Sequence, residues 1–143
     1  MSYLRKVKPL SSEPTNPVDV SVIKDAFADE PGPQEQNNTL GERIFAGNCA
    51  GCHLWSGQGR QTRYAALAGG RTVSDPDGTN LVQVLLGGAD LRTVHPGVVM
   101  PSFGKGFSDA ELAAVSNYVI GRFGGQTGRV SSEKLRQDRS NQP

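Results

Sequence analysis

The stretch Cys49-Ala50-Gly51-Cys52-His53 decides the interpretation of this 143-residue chain, because it contains both of the cysteines in the sequence. Two thiols three positions apart suit a redox dithiol, half of a zinc site, a short disulfide or the attachment of a haem. A redox dithiol requires alternating strands and helices, which this sequence does not predict. A zinc site requires two more Cys or His ligands, and only His95 lies outside the motif. The histidine that follows the second cysteine therefore favours haem attachment.

The axial ligands of such a haem follow from the same motif and from one distant residue. Thiols three positions apart at a helix end can reach the two vinyl groups on one porphyrin edge, which places His53 beneath the iron. Apart from Met1, the chain contains a single methionine, Met100, in a loop fixed by Pro101. We therefore expect Met100 to be the second axial ligand, with His95 as its competitor.

Side chains close after the motif are candidates for the rest of the pocket. Trp55 and Tyr64 suit packing on the porphyrin or a hydrogen bond to a propionate, although both also suit an ordinary core. Among the loop arginines Arg60, Arg63 and Arg71, we favour Arg71 to offset a propionate charge.

Capping signals and apolar periodicity predict three helices separated by long loops. A capping box at Thr39 and Glu42 predicts a helix from Leu40 to about Cys49. The helices expected further along are Asn80–Leu86, capped by Thr79, and Asp109–Phe123, opened by a capping box at Ser108 and Glu111. In the first helix, Gly41 and Phe45 lie on one face, which indicates a contact with another helix. Residues 54–78 and 89–107 are expected to be loops.

Composition divides the chain into three parts. Residues 1–36 hold five of the nine prolines and are expected to form an extended arm or interdomain linker. Residues 37–125 form the predicted domain, and residues 126–143 are expected to be a polar C-terminal tail. Aromatic residues make up only 6% of the chain, so the core is thin unless a haem supplies apolar volume.

Charge and hydropathy limit the partners and the location. With 15 basic and 14 acidic side chains and no dense basic run, nucleic acid is not an expected partner. No run of eighteen apolar residues is present, so we expect no direct membrane insertion. The opening residues show no export signal. Because haem is attached to such motifs outside the bacterial cytoplasm, we expect a mature form or an excised piece of a periplasmic protein.

Over residues 37–125 the sequence resembles class I cytochrome c. The resemblance rests on Gly41 and Phe45, the Cys-x-x-Cys-His motif, Leu67-Ala-Gly69, Met100-Pro-Ser-Phe-Gly104 and Tyr118. It implies an all-α fold of three to five helices around one covalent haem c, with Leu67 in the pocket and Tyr118 against the first helix. More narrowly, Gly57-Gln-Gly59 and the Met100 and Phe107–Val119 segments are similar to the last haem domain of multihaem cytochrome subunits. Those subunits serve periplasmic alcohol, aldehyde and sugar dehydrogenases.

This resemblance implies a single-electron carrier rather than an enzyme, with a dehydrogenase as donor and a quinone or terminal oxidase chain as acceptor. The alternative is a gas sensor or peroxidase-like domain in which Met100 is displaced from the iron. One departure from the family concerns the turn that often reads Pro-Pro-Leu-Ala-Gly, which is Ala65-Ala66-Leu67-Ala68-Gly69 here. The backbone carbonyl survives this change, so we expect His53 still to be oriented by it.

Overall fold

A computed structural model describes residues 39–60, 62–93 and 97–143, which lie within the unit Glu35–Pro143. The expectations for the arm 1–36 and for His95 fall outside the described residues. The helices are α1 (Thr39–Asn48), α2 (Ala50–His53), α3 (Thr79–Gly87), α4 (Asp109–Gly124) and α5 (Ser132–Ser140), with a 3-10 turn at Arg63–Ala65. Two two-residue strands, β1 (Ala89–Asp90) and β2 (Val99–Met100), are the extended elements in these ranges. The predicted all-α class is confirmed.

The core is centred on the contact between α1 and α4. Phe45 is completely buried, and its ring centroid lies 5.5 Å from that of Tyr118 and 5.3 Å from that of Phe123. Gly41, one turn earlier on α1, is buried as well. The predicted contact between the Gly41 and Phe45 face of the first helix and Tyr118 is therefore confirmed.

Helix α3 lies where it was predicted, but its N-terminus is capped differently. Thr79 does not cap the helix; instead its backbone N–H donates to Asp75 Oδ2 at 3.0 Å, and Gly78 provides the left-handed residue before the helix. The Asp77 N–H donates to the other oxygen of the same carboxylate at 3.0 Å. These backbone donors lower the pKa of Asp75 below its usual value. The carboxylate of Asp75, four residues before Thr79, thus accepts from a free backbone N–H at the start of the helix. The capping preference of Thr79 itself could not indicate this bond.

Helix α4 begins as the sequence predicts. The Ser108 hydroxyl accepts from the Glu111 N–H at 3.2 Å, while the Glu111 carboxylate accepts from the Ser108 N–H at 2.7 Å. This reciprocal capping box satisfies two otherwise free backbone donors. Gly125 ends the helix in the left-handed conformation.

Two expectations about loops are wrong in part. Residues 89–107 were expected to be loop throughout, but β1 and β2 pair antiparallel, with Ala89 opposite Met100 and Asp90 opposite Val99. Residues 126–143 were expected to be a polar tail, but residues 132–140 form α5, capped by Ser131 and docked through the fully buried Leu135. No helix in the described ranges is long and apolar enough to cross a membrane.

Candidate functional site

The two cysteines lie where α1 gives way to α2. Cys49 falls between the helices and is buried, whereas Cys52 lies in α2 and is exposed. Burial, and next the nearby Cys52, raise the pKa of the Cys49 thiol to about 11. Reactive dithiol enzymes instead use a cysteine whose pKa is depressed, because the thiolate is the nucleophile. Burial therefore makes Cys49 itself a poor thiolate nucleophile.

The imidazole of His53 is held by a backbone carbonyl. Its Nδ1 lies 2.6 Å from the carbonyl oxygen of Ala65. Since a carbonyl can only accept, Nδ1 carries the proton and Nε2 keeps its lone pair for a metal. Ala65 ends the 3-10 turn, whose start is capped by the Thr62 hydroxyl accepting from the Tyr64 N–H. The expectation that a carbonyl would orient His53 without the family's proline is confirmed.

The backbone after His53 is strained. Leu54 has φ +62° and ψ 160°, a conformation that is rare for any residue other than glycine and costs about 1–3 kcal/mol. Two backbone hydrogen bonds join the residues before Leu54 to the residues after it. The Gly59 N–H donates to the His53 carbonyl at 3.1 Å, and the Arg60 N–H donates to the Cys52 carbonyl at 2.9 Å. Strain of this kind is concentrated at functional sites, and the sequence alone gave no signal of it.

A cleft connects the motif with the segment that leads into β2. Its lining is contributed by Gly51, Cys52, Arg60, Thr62, Ala65, Gly97, Val98 and Val99. Val99 is 52% exposed beside the exposed Cys52, which leaves apolar surface at this place. The cleft brings the second cysteine, the turn that holds His53 and the residue before Met100 together.

The predicted pocket side chains are spread more widely. Arg60 lines the cleft, whereas Arg71 is exposed and is not among its lining residues. Tyr64 is 47% exposed, with the Arg63 guanidinium 5.4 Å from its ring centroid. Leu67 is partly buried and packs on the hydrophobic core. Trp55 also contacts the core, with its ring 5.8 Å from that of Phe45.

Met100 is partly buried in β2 and packs on the core. The loop behind it is fixed to the end of α3, because the Phe103 N–H donates to the Leu85 carbonyl at 2.8 Å and the Ser102 hydroxyl donates to the Leu86 carbonyl. Gly88 has φ +76°, and a Cβ at this position would lie 2.7 Å from the Met100 carbonyl oxygen. Met100 is therefore held by strand pairing and by close backbone packing.

The described residues fit a covalent haem. Two unpaired thiols three positions apart precede an imidazole whose Nδ1 is anchored. The exposed thiol of Cys52 borders a cleft that is also lined by apolar side chains, Val99 among them. Met100, which carries a thioether, is the residue of β2 that follows Val99. This is the donor set of a c-type haem centre.

Such a fold and site define a small helical domain of the c-type haem class. The family model described as cytochrome c matches residues 39–121, more than half of the chain. The chain belongs to the cytochrome c family. It is an electron-transfer domain, and its cofactor is covalently bound haem c.

The curated relatives are much longer proteins than this chain. The chain is 28% identical to the fructose dehydrogenase cytochrome subunit of Gluconobacter japonicus, in an alignment 118 residues long that covers 75% of this chain and 24% of that protein. It is 32% identical to the cytochrome c subunit of the quinone alcohol dehydrogenase of Gluconobacter oxydans, over 70% of this chain and 22% of the relative. It is 30% identical to the gluconate 2-dehydrogenase cytochrome c subunit of Pantoea cypripedii, over 62% and 21%. The chain thus spans less than a quarter of the length of each of these relatives.

Proposed function

We propose that this domain relays single electrons in the bacterial periplasm, from a dehydrogenase to a quinone or terminal oxidase chain. Cys49 and Cys52 would carry the thioether bonds to the haem, and His53 and Met100 would hold its iron. The domain corresponds to the last haem domain of a multihaem dehydrogenase cytochrome subunit. The names of the three relatives support this assignment, since each is the cytochrome subunit of an alcohol, sugar or sugar-acid dehydrogenase.

The anchored imidazole is the observation that carries the ligand assignment. The bond from His53 Nδ1 to the Ala65 carbonyl fixes the tautomer and the ring, as outer hydrogen bonds do at metal-bound histidines. A ligand that is already oriented changes little between two oxidation states, which favours rapid electron transfer. The haem supplies the redox couple, and a thioether ligand in a partly buried position favours a higher potential than a second imidazole.

Charge suggests how the domain meets its redox partners. The formal net charge of the chain is +1, so long-range steering contributes little to association. Val99 is exposed at the cleft, and a small apolar contact there suits the docking of a redox partner. We expect electron-transfer rates to depend only modestly on ionic strength.

The ligand assignment is tested by maturing the domain with haem-attachment machinery and recording its optical spectrum and potential. A sulfur-to-iron charge-transfer band should be present in the ferric protein. Met100→Leu should abolish this band and lower the potential, whereas Val99→Ala, at the neighbouring exposed position, should retain both. Retention of the band in Met100→Leu would rule out Met100 as the ligand.

The same spectra separate the carrier from the gas sensor or peroxidase-like alternative. A carrier keeps Met100 on the iron, so carbon monoxide should bind the ferrous domain slowly. A missing band together with rapid carbon monoxide binding would favour the alternative.

The donor is tested by mixing the ferric domain with purified catalytic subunits of alcohol, sugar and sugar-acid dehydrogenases and their substrates under anaerobic conditions. Rapid substrate-dependent reduction by one of them supports the proposed donor class. Reduction that is equally slow with all of them contradicts it, provided that a small-molecule reductant reduces the domain fully.

A further inference from the structure

Helix α5 reaches the loop that follows Met100 through one side chain. The Arg139 guanidinium donates to Asp109 Oδ1 at 2.9 Å, to the Phe107 carbonyl at 3.1 Å and to the Gly104 carbonyl. Its partners lie within residues 104–109, between the Met100 segment and the first residue of α4. Because a guanidinium is planar and has several fixed donors, one side chain can hold three acceptors in a single arrangement.

This contact is partly shielded from water. The side chains of Arg139 and Asp109 are 34% and 29% exposed. The pair Arg136 and Glu133, one turn earlier on the same helix, is 69% and 54% exposed and connects only residues within α5. Exposed pairs contribute little, whereas charge-assisted hydrogen bonds to partly buried groups are stronger. Arg139 is therefore the arginine of α5 that is placed to act on the loop.

The opposite side of the same loop is held by α3. Phe103 and Ser102 donate to the Leu85 and Leu86 carbonyls, and a Cβ on Gly104 would lie 2.9 Å from the Leu86 carbonyl oxygen. The C-terminal end of α5 also meets α3, where Gln142 Nε2 donates to Gln83 Oε1 at 2.6 Å. The loop after Met100 is thus enclosed between the end of α3 and the last turn of α5.

The docking of α5 does not depend on Arg139 alone. Leu135 is completely buried, and Asn117 of α4 makes two hydrogen bonds of 2.9 Å with the backbone of Val130. Replacing Arg139 should consequently release the loop while α5 stays docked. This separation makes the role of the side chain testable.

We propose that Arg139 is a positioning residue that keeps Met100 on the haem iron by holding residues 104–109 between α3 and α5. This inference rests on the proposed function, in which Met100 is an axial ligand. The segment after residue 125 thus helps to keep Met100 bound to the iron.

The test uses the haem-loaded chain and the rate at which imidazole binds the ferric iron, since imidazole can enter only when Met100 leaves. Arg139→Ala should accelerate imidazole entry at least about tenfold, since the loss of even one of its three charge-assisted hydrogen bonds accounts for a change of that size. Its sulfur-to-iron band should weaken in parallel. Arg139→Lys keeps the positive charge but not the planar group with several fixed donors. Its rate of imidazole entry should therefore lie between those of the wild type and Arg139→Ala.

Arg136→Ala is the matched control, because it removes an arginine from the same helix without touching the loop. It should leave the band and the imidazole rate unchanged. Equal rates for wild type and Arg139→Ala would overturn the proposal, as would an acceleration in Arg139→Ala that Arg136→Ala reproduces.

Two further measurements separate a positioning role from general destabilisation and from failure of the proposed function. If imidazole entry in Arg139→Ala has the same urea dependence as global unfolding, the side chain acts through overall stability and the proposal fails. A weak urea dependence supports a local opening. Absence of the sulfur-to-iron band in the wild type would refute Met100 ligation itself, and Arg139 positioning with it.

Discussion

Replacing Gly88 by alanine should loosen the Met100 segment from the side of α3. Gly88 has φ +76° and ψ −176°, a region that is essentially restricted to glycine, so an alanine there costs about 1–3 kcal/mol. Its Cβ would also lie 2.7 Å from the Met100 carbonyl oxygen and 3.0 Å from the Ser102 nitrogen. Both are backbone atoms, which cannot rotate away, so the loop has to shift. Overpacking of this kind adds about 1–3 kcal/mol.

Gly125→Ala provides the control, because it carries the conformational cost without the overlap and lies away from the cleft. Gly125 has φ +64°, and among the described residues no atom outside its chain neighbours lies within 4 Å of the position of its Cβ. We expect Gly125→Ala to lose about 1–2 kcal/mol of stability, the usual cost of a left-handed residue with a side chain. Gly88→Ala should lose about 2–6 kcal/mol in total, from strain and overlap together.

Urea unfolding of the haem-loaded proteins measures these losses, and the sulfur-to-iron band reports the Met100 bond. The band should weaken in Gly88→Ala and persist in Gly125→Ala. If both variants unfold at the same urea concentration with equal bands, the close approach of Gly88 to the Met100 backbone does not constrain the loop.

Three further predictions concern the core, α5 and the Asp75 cap. Phe45→Ala should cost about 3–5 kcal/mol in urea unfolding, since Phe45 is fully buried, whereas Leu40→Ala, at a 37% exposed position of the same helix, should cost much less. Leu135→Ala should cost about 2–5 kcal/mol, and a loss below about 0.5 kcal/mol would show that α5 does not dock in solution. Because the pKa of Asp75 is lowered on folding from its usual 3.8, its ionised form stabilises the protein above that pH, and this contribution disappears as the pH falls through the lower folded value. The stability advantage of the wild type over Asp75→Asn should therefore shrink below pH 3.8, and parallel pH profiles would contradict it.

Local signals predicted the parts of the site that lie close together in the sequence. The spacing of Cys49, Cys52 and His53, and the capping box of Ser108 and Glu111, each involve residues three or four positions apart, whose geometry a helix fixes by itself. The family resemblance anticipated a backbone carbonyl as the acceptor for His53, because such an acceptor survives a change of side chain, and the structure identifies it as that of Ala65.

The sequence by itself therefore determined the cofactor class, the helical frame and the face of α1 that meets Tyr118. Tertiary structure decided that Asp75 caps α3, that Arg60 rather than Arg71 lines the cleft, and that residues after 125 fold back. Helix α5 has Leu135 as its one buried residue, too few apolar positions for a helical period to be visible. Arg139 acquires its role only from acceptors about thirty positions earlier in the chain, which folding brings within hydrogen-bond distance.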